Sequence, residues 1–234
     1  MRAVMEHLGD ATAEPRGVDY IEADAAGVPA MWAVPNNCAE DRVLQCAHGG
    51  GYISGSMYSH RKMYVHYAKK IGCRALIVNY RLAPENRHPG PVNEMAKAYR
   101  WLLDQGITPN HLAIAGDSPG GSLAITTMLR LRELSAPLPL ASMPLSPWVD
   151  WEHLRENKNN DALVSREMAE YMAPNFLGEK GSVNANHRGI LGLDKRHNSV
   201  SVESDAAIKH VKVWSNDRIE LCRIVSHSGC EGCA

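Results

Sequence analysis

The chain has 234 residues, a hydrophobic share of 44% and a formal net charge of −1. That length can bury the core of one large domain, and the balanced charge gives no electrostatic case for nucleic acid or an anionic membrane. No apolar run is long enough for a membrane helix, and residues 1–15 are mixed and charged without the apolar stretch of a signal peptide, so the expected location is cytoplasmic.

The elements follow in chain order. Residues 18–23 and 28–34 alternate weakly around Asp24-Ala25-Ala26-Gly27, the pattern of a hairpin. Residues 43–47 read as a buried strand leading into His48-Gly49-Gly50-Gly51. Ser59 is placed to cap a helix through Ile71, with Met63, Tyr64, Tyr67, Ala68 and Ile71 on one side. Residues 75–79 form a compact buried strand. Val92, Met95, Ala96, Tyr99, Leu102 and Leu103 recur at helical spacing up to Gly106. Residues 112–115 make a short apolar strand, 121–134 an apolar helix, and 138–145 a strand interrupted by prolines. Strands alternating with helices imply an α/β fold with a mostly parallel sheet covered on both faces. Residues 150–178 are polar and helical in character, anchored by Trp151, Met168, Tyr171 and Met172. Residues 183–204 lack a sustained period, 208–213 can form a strand, and 219–225 another short element. No internal repeat is apparent. Cysteines stand at 38, 46, 73, 222, 230 and 233, and the first three read as reduced core residues.

Two motifs carry chemistry. Gly116-Asp117-Ser118-Pro119-Gly120 is a G-x-S-x-G string between a strand and a helix, the setting of a nucleophile elbow. The turn lifts Ser118 clear of the sheet, and the glycines admit close backbone. The same string also occurs in ordinary loops, so its context matters. His48-Gly49-Gly50-Gly51 follows a strand, where glycines let backbone N–H groups turn toward the oxyanion of an acyl-transfer intermediate. A phosphate loop fits poorly, because neither G-x-x-x-x-G-K-[ST] nor G-x-G-x-x-G spacing is present.

Together with Tyr52, Tyr80-Arg81-Leu82-Ala83-Pro84-Glu85 and Ser146-Pro147-Trp148-Val149-Asp150, these motifs resemble the hormone-sensitive-lipase family of bacterial carboxylesterases, over about residues 1–178. The resemblance implies an α/β-hydrolase fold, with a helical cap from about residues 1–15 and 150–178, and an atypical tail over 179–234. It implies hydrolysis of short-chain esters by Ser118, an oxyanion hole at Gly50 and Gly51, and neither cofactor nor metal. The family often dimerises. A small-molecule ester is the expected partner.

Two departures stand against full activity. Pro119 has no N–H where the fold expects an oxyanion donor, and it restricts Ser118 before it. Proline does, however, suit the first turn of a helix. The triad order on this fold is serine, acid, histidine. Past Gly178 the acids are Asp194, Asp205 and Asp217, and the histidines His187, His197, His210 and His227. Asp217 with His227 has the right order but too short a separation for a parallel crossover. The abrupt loss of resemblance near residue 178 reads as a changed reading frame or gene end. The sheet is therefore expected to be incomplete at its C-terminal side. The alternative to an esterase is an inactive homologue that at most binds a small apolar ligand. Cys230 and Cys233 form a C-x-x-C without a second ligand pair or a βαβ setting. Arg81 and Glu85 read as an ion pair or loop brace, His48 as a brace of the glycine loop, and Asp117 as held by backbone N–H groups. His60 and His66 do not share a helix face.

Overall fold

The computed structural model describes residues 2–148 and 164–178, and the strands at 197–205, 208–215 and 218–224 by their backbone. The chain enters through a short helix α1 (Arg2–Glu6). Strands β1 (Val18–Asp24) and β2 (Pro29–Pro35) then form the expected antiparallel hairpin, with Ala26 and Gly27 in its turn.

Next come β3 (Ala39–Ala47), helix α2 (Met57–Ile71), β4 (Cys73–Val78), helix α3 (Gly90–Asp104), β5 (Leu112–Asp117), helix α4 (Pro119–Glu133) and β6 (Ala141–Leu145). Strands β3 to β6 run parallel, while β2 joins β4 antiparallel. Successive residues of a strand face opposite sides of the sheet. Accordingly Leu76 and Val78 pack in one core with Tyr99, Leu102 and Leu123. Ala75 and Ile77 pack in another with Tyr64, Val65 and Ala68. Both faces of the central strands are thus covered, as their near-continuous apolar runs require.

Helix α5 (Arg166–Leu177) follows. Strands β7 (His197–Asp205), β8 (Ile208–Ser215) and β9 (Arg218–Ile224) then form an antiparallel meander. It meets β6 in parallel at Ser142 and Ile224. The sheet order is β1-β2-β4-β3-β5-β6-β9-β8-β7. Among the described residues beyond 178, the strands run antiparallel to one another, with β9 parallel to β6. Among the described residues, no helix is long and apolar enough to cross a membrane.

Several local expectations are corrected. Ser56, not Ser59, caps α2: its hydroxyl accepts the N–H groups of Tyr58 and Ser59, and the Ser59 hydroxyl accepts the Ser56 N–H. This reciprocal capping box starts the helix at Met57. Ile71 is half exposed, because it lies in the last turn beyond the sheet edge. Prolines at 137 and 139 delay β6 to Ala141. On α5, Tyr171 is exposed while Met172 and Phe176 are buried. Residues 197–205 form a strand although their composition is polar, through pairing with β8. Cys38, Cys46 and Cys73 are free thiols, the last two buried.

Candidate active site

Ser118 sits between β5 and α4 with φ 53° and ψ −118°. A non-glycine residue holds such angles only where its surroundings over-determine them. Here the Ser118 N–H donates to Leu145 O (2.9 Å), and the Ser118 carbonyl accepts from the N–H groups of Ser122 (3.2 Å) and Trp148 (3.1 Å). The turn is tight enough to exclude side chains on both flanks. A β-carbon at Gly116 would lie 2.0 Å from Gly120 O, and one at Gly120 would lie 1.9 Å from Ala47 O. Pro119 is the buried first residue of α4, so no N–H is available at that position.

The glycine loop leaves β3 with Gly50 at φ 115° and Gly51 at φ 66°, conformations that favour glycine. The Gly50 carbonyl is turned into the loop, accepting from Ser54 N (3.0 Å) and the Ser54 hydroxyl (2.7 Å). The loop and the elbow interlock. The Asp117 carboxylate fills the space beside Gly49, where a β-carbon would come within 2.2 Å of Oδ2. The contact of Gly120 with Ala47 closes the other side.

His48 braces this junction. Its ring is fully buried and stacks on Tyr80 at 4.1 Å and 8°. Nδ1 lies 2.8 Å from Gly49 O, so that nitrogen carries the proton, while Nε2 has no hydrogen-bond partner among the described residues. Burial, reinforced by the neighbouring His60, pushes the His48 pKa down to about 4. The Tyr80 hydroxyl donates to His48 O (2.8 Å). His48 is thus a neutral structural imidazole.

Asp117 is held by side chains rather than by backbone N–H groups, because β5 has its backbone engaged in the sheet. Its Oδ1 accepts from the Tyr64 hydroxyl (2.9 Å), and Oδ2 lies 3.5 Å from His60 Nε2. Burial would raise its pKa, but His60 and Tyr64 outweigh it and hold the carboxyl below the usual range. His60 is buried and His66 exposed, in line with their different faces. The sequence reading missed His60 as a partner of Asp117.

Two helices lie over the loop. Met172 of α5 packs where a Gly51 β-carbon would stand, and Phe176 stacks on Tyr52 at 3.7 Å. Arg2 of α1 donates to Ile53 O (2.8 Å) and Ala83 O (2.9 Å) and pairs with Glu85 (2.6 Å). Arg81 and Glu85 therefore do not pair with each other: Arg81 binds Glu94 of α3. Each acts as a separate brace, because the loop turns their side chains apart.

Asp194, Asp217, His187, His227, Cys230 and Cys233 lie outside the described residues. Asp205 and His197 fall on β7, and His210 on β8. Among the described residues, no three His, Cys, Asp or Glu side chains converge as metal ligands would. A cleft of about 230 Å³ opens between α3 and α4, lined by His88, Val92, Thr126 and Leu129 among others. It includes no residue of the elbow or the glycine loop.

Comparison with known proteins agrees with this geometry. A family described as the alpha/beta hydrolase fold matches residues 44–195. The chain is 36% identical over 159 residues to an acetyl-hydrolase of Streptomyces hygroscopicus, covering 62% of this chain and 53% of that protein. It is 43% identical over 97 residues to an ethyl acetate hydrolase of Pseudomonas putida, covering 38% of this chain and 30% of the other. The crystal structure of an esterase from the bacterial hormone-sensitive lipase family superposes with a TM-score of 0.76 at 36% identity. That match covers 83% of this chain and 66% of the esterase. The chain spans about half the length of the curated relatives it matches.

Proposed function

The chain belongs to the α/β-hydrolase fold family, in its hormone-sensitive-lipase branch, and on that premise we propose that it hydrolyses carboxylic esters of short acyl chains. The observation that carries the reading is the strained turn at Ser118 locked against a glycine loop. In the proposed mechanism the Ser118 hydroxyl attacks the ester carbonyl and a histidine accepts its proton. The N–H groups of Gly50 and Gly51 hold the oxyanion as the alcohol leaves. Water then releases the acid from the acyl-enzyme. The acid and base are left unassigned: Asp217 and His227, weak candidates because of their short separation, lie outside the described residues. The scheme uses no cofactor.

We assign α1 and α5 to a cap over a hydrolase core of residues 1–178, with 179–234 as an atypical tail. Their packing on the glycine loop supports that assignment. A cap would exclude water and shape the acyl pocket. Three free thiols favour a reducing, cytoplasmic setting. A homodimer is carried over from the family resemblance. The second reading, a homologue that binds small apolar ligands without turnover, is favoured by Pro119.

The test is hydrolysis of p-nitrophenyl butyrate by the full chain beside Ser118→Ala. The proposal expects turnover by the native chain and loss in the variant. Equal rates at the buffer level would refute it and leave the second reading.

A further inference from the structure

A file of polar groups, buried at Ser56, Ser59, His60 and Tyr64, joins the glycine loop to the elbow, and the reaction scheme makes no use of it. It begins at α1, where Glu6 accepts from the Ser56 hydroxyl (2.6 Å). Ser56 shares a capping box with Ser59, whose hydroxyl lies 2.8 Å from His60 Nδ1. His60 Nε2 faces Asp117 Oδ2 at 3.5 Å. The Tyr64 hydroxyl spans Asp117 Oδ1 (2.9 Å) and Ala47 O (2.6 Å). Ser59, His60 and Tyr64 are all buried.

The protons in this file are constrained. An ionised carboxylate only accepts, so His60 turns an Nε2 N–H toward it. In a neutral ring Nδ1 competes with Ser56 O (3.0 Å) for the one Ser59 hydroxyl proton; in a charged ring it donates to the Ser59 oxygen, which leaves that proton to Ser56 O. Either state keeps His60 fixed between α2 and Asp117. The carboxylate in turn occupies the space beside Gly49, and its backbone leads directly into Ser118. A displaced carboxylate would have to push Gly49 aside or turn the elbow. The Asp117 side chain is a quarter exposed, so a carboxylate that loses His60 is expected to turn toward solvent.

We infer that His60 is a positioning residue for the proposed ester hydrolysis: by fixing Asp117 it holds the glycine loop and Ser118 in mutual register. The kinetic part rests on the proposed function; the tether itself does not.

Amide hydrogen exchange by mass spectrometry on the full chain, beside p-nitrophenyl butyrate turnover, separates the two. In His60→Leu, exchange over residues 47–56 should quicken by about 10-fold, the low end for a contact to a charged group, because the contact is long at 3.5 Å. The β1–β2 hairpin should exchange as in the native chain. The kcat should fall by a similar factor with little change in KM, and His60→Gln should recover part of both. His60→Asn, whose amide falls short of Asp117, carries the same readout if the leucine variant does not fold. Unchanged exchange over residues 47–56, or an equal rise in the hairpin, would overturn the tether. A native chain without turnover that still shows the local exchange response would instead sink the ester reading, and with it the kinetic role.

Discussion

Lowering the pH should unfold this protein partly through one ring. His48 is fully buried, its single ring proton is committed to Gly49 O, and burial holds its pKa at about 4 against an ordinary value of 6.5. A folded-state pKa below the unfolded one means that the unfolded chain takes up the proton first. The neutral ring therefore contributes its full stability above pH 6.5, and that contribution is lost as pH falls from 6.5 toward 4. The whole difference corresponds to about 3 kcal/mol, and at pH 4.5 most of it is already gone. Urea unfolding followed by circular dichroism at pH 7.5 and 4.5 would read it. With a slope typical of this size, the native chain should lose about 1 M more in its midpoint than His48→Asn over that interval. The asparagine amide stands where Nδ1 does and keeps a donor for Gly49 O, but has no titrating group. His88, also shifted down by burial, acts on both proteins and cancels in the comparison. Parallel pH profiles for the two chains would refute the reasoning.

Gly120→Ala places a β-carbon against the backbone oxygen of Ala47, so relief requires movement of β3 or α4. Overpacking of about 1–3 kcal/mol should lower the melting temperature by roughly 3–10 °C; an unchanged melting curve would contradict the interlock. Pro119→Ala restores an N–H at the first residue of α4. If that donor is what the oxyanion lacks, kcat for p-nitrophenyl butyrate should rise by about 10²–10³-fold, and an unchanged kcat would show that the site does not use it. Phe176→Ala removes the ring stacked on Tyr52, a deletion that typically costs about 3–5 kcal/mol. Helix α5 is short enough that it should detach locally, with faster proteolysis there and an unaltered β1–β2 hairpin. Cleavage no faster than in the native chain would refute the docking.

The elbow and the glycine loop were legible because each is a continuous string whose chemistry is local: a serine between close-packed glycines, and glycines after a strand. The central strands were legible because burial on both faces leaves long apolar runs, as in residues 43–47. What escaped was set by tertiary geometry. Nothing in the spacing of His60 and Asp117 announces their contact, and Arg2 meets Glu85 from 83 positions away. The α2 boundary slipped because Ser56 and Ser59 are both good caps, and only the reciprocal bond decides between them. On α5 the phase was misjudged at Tyr171, since Phe176 rather than its tyrosine supplies the buried ring. The strand at 197–205 owes its form to a paired neighbour, which polar composition does not advertise.

The three hydrogen-bond partners of the Ser118 backbone all lie downstream of it: Leu145 receives its N–H, and Ser122 and Trp148 donate to its carbonyl. A chain emerging from the ribosome therefore displays the whole G-x-S-x-G string before two of these three partners have been made. Until β6 has paired beside β5, the turn lacks the bonds to Leu145 and Trp148. The geometry of the elbow is thus completed only when the central sheet is assembled.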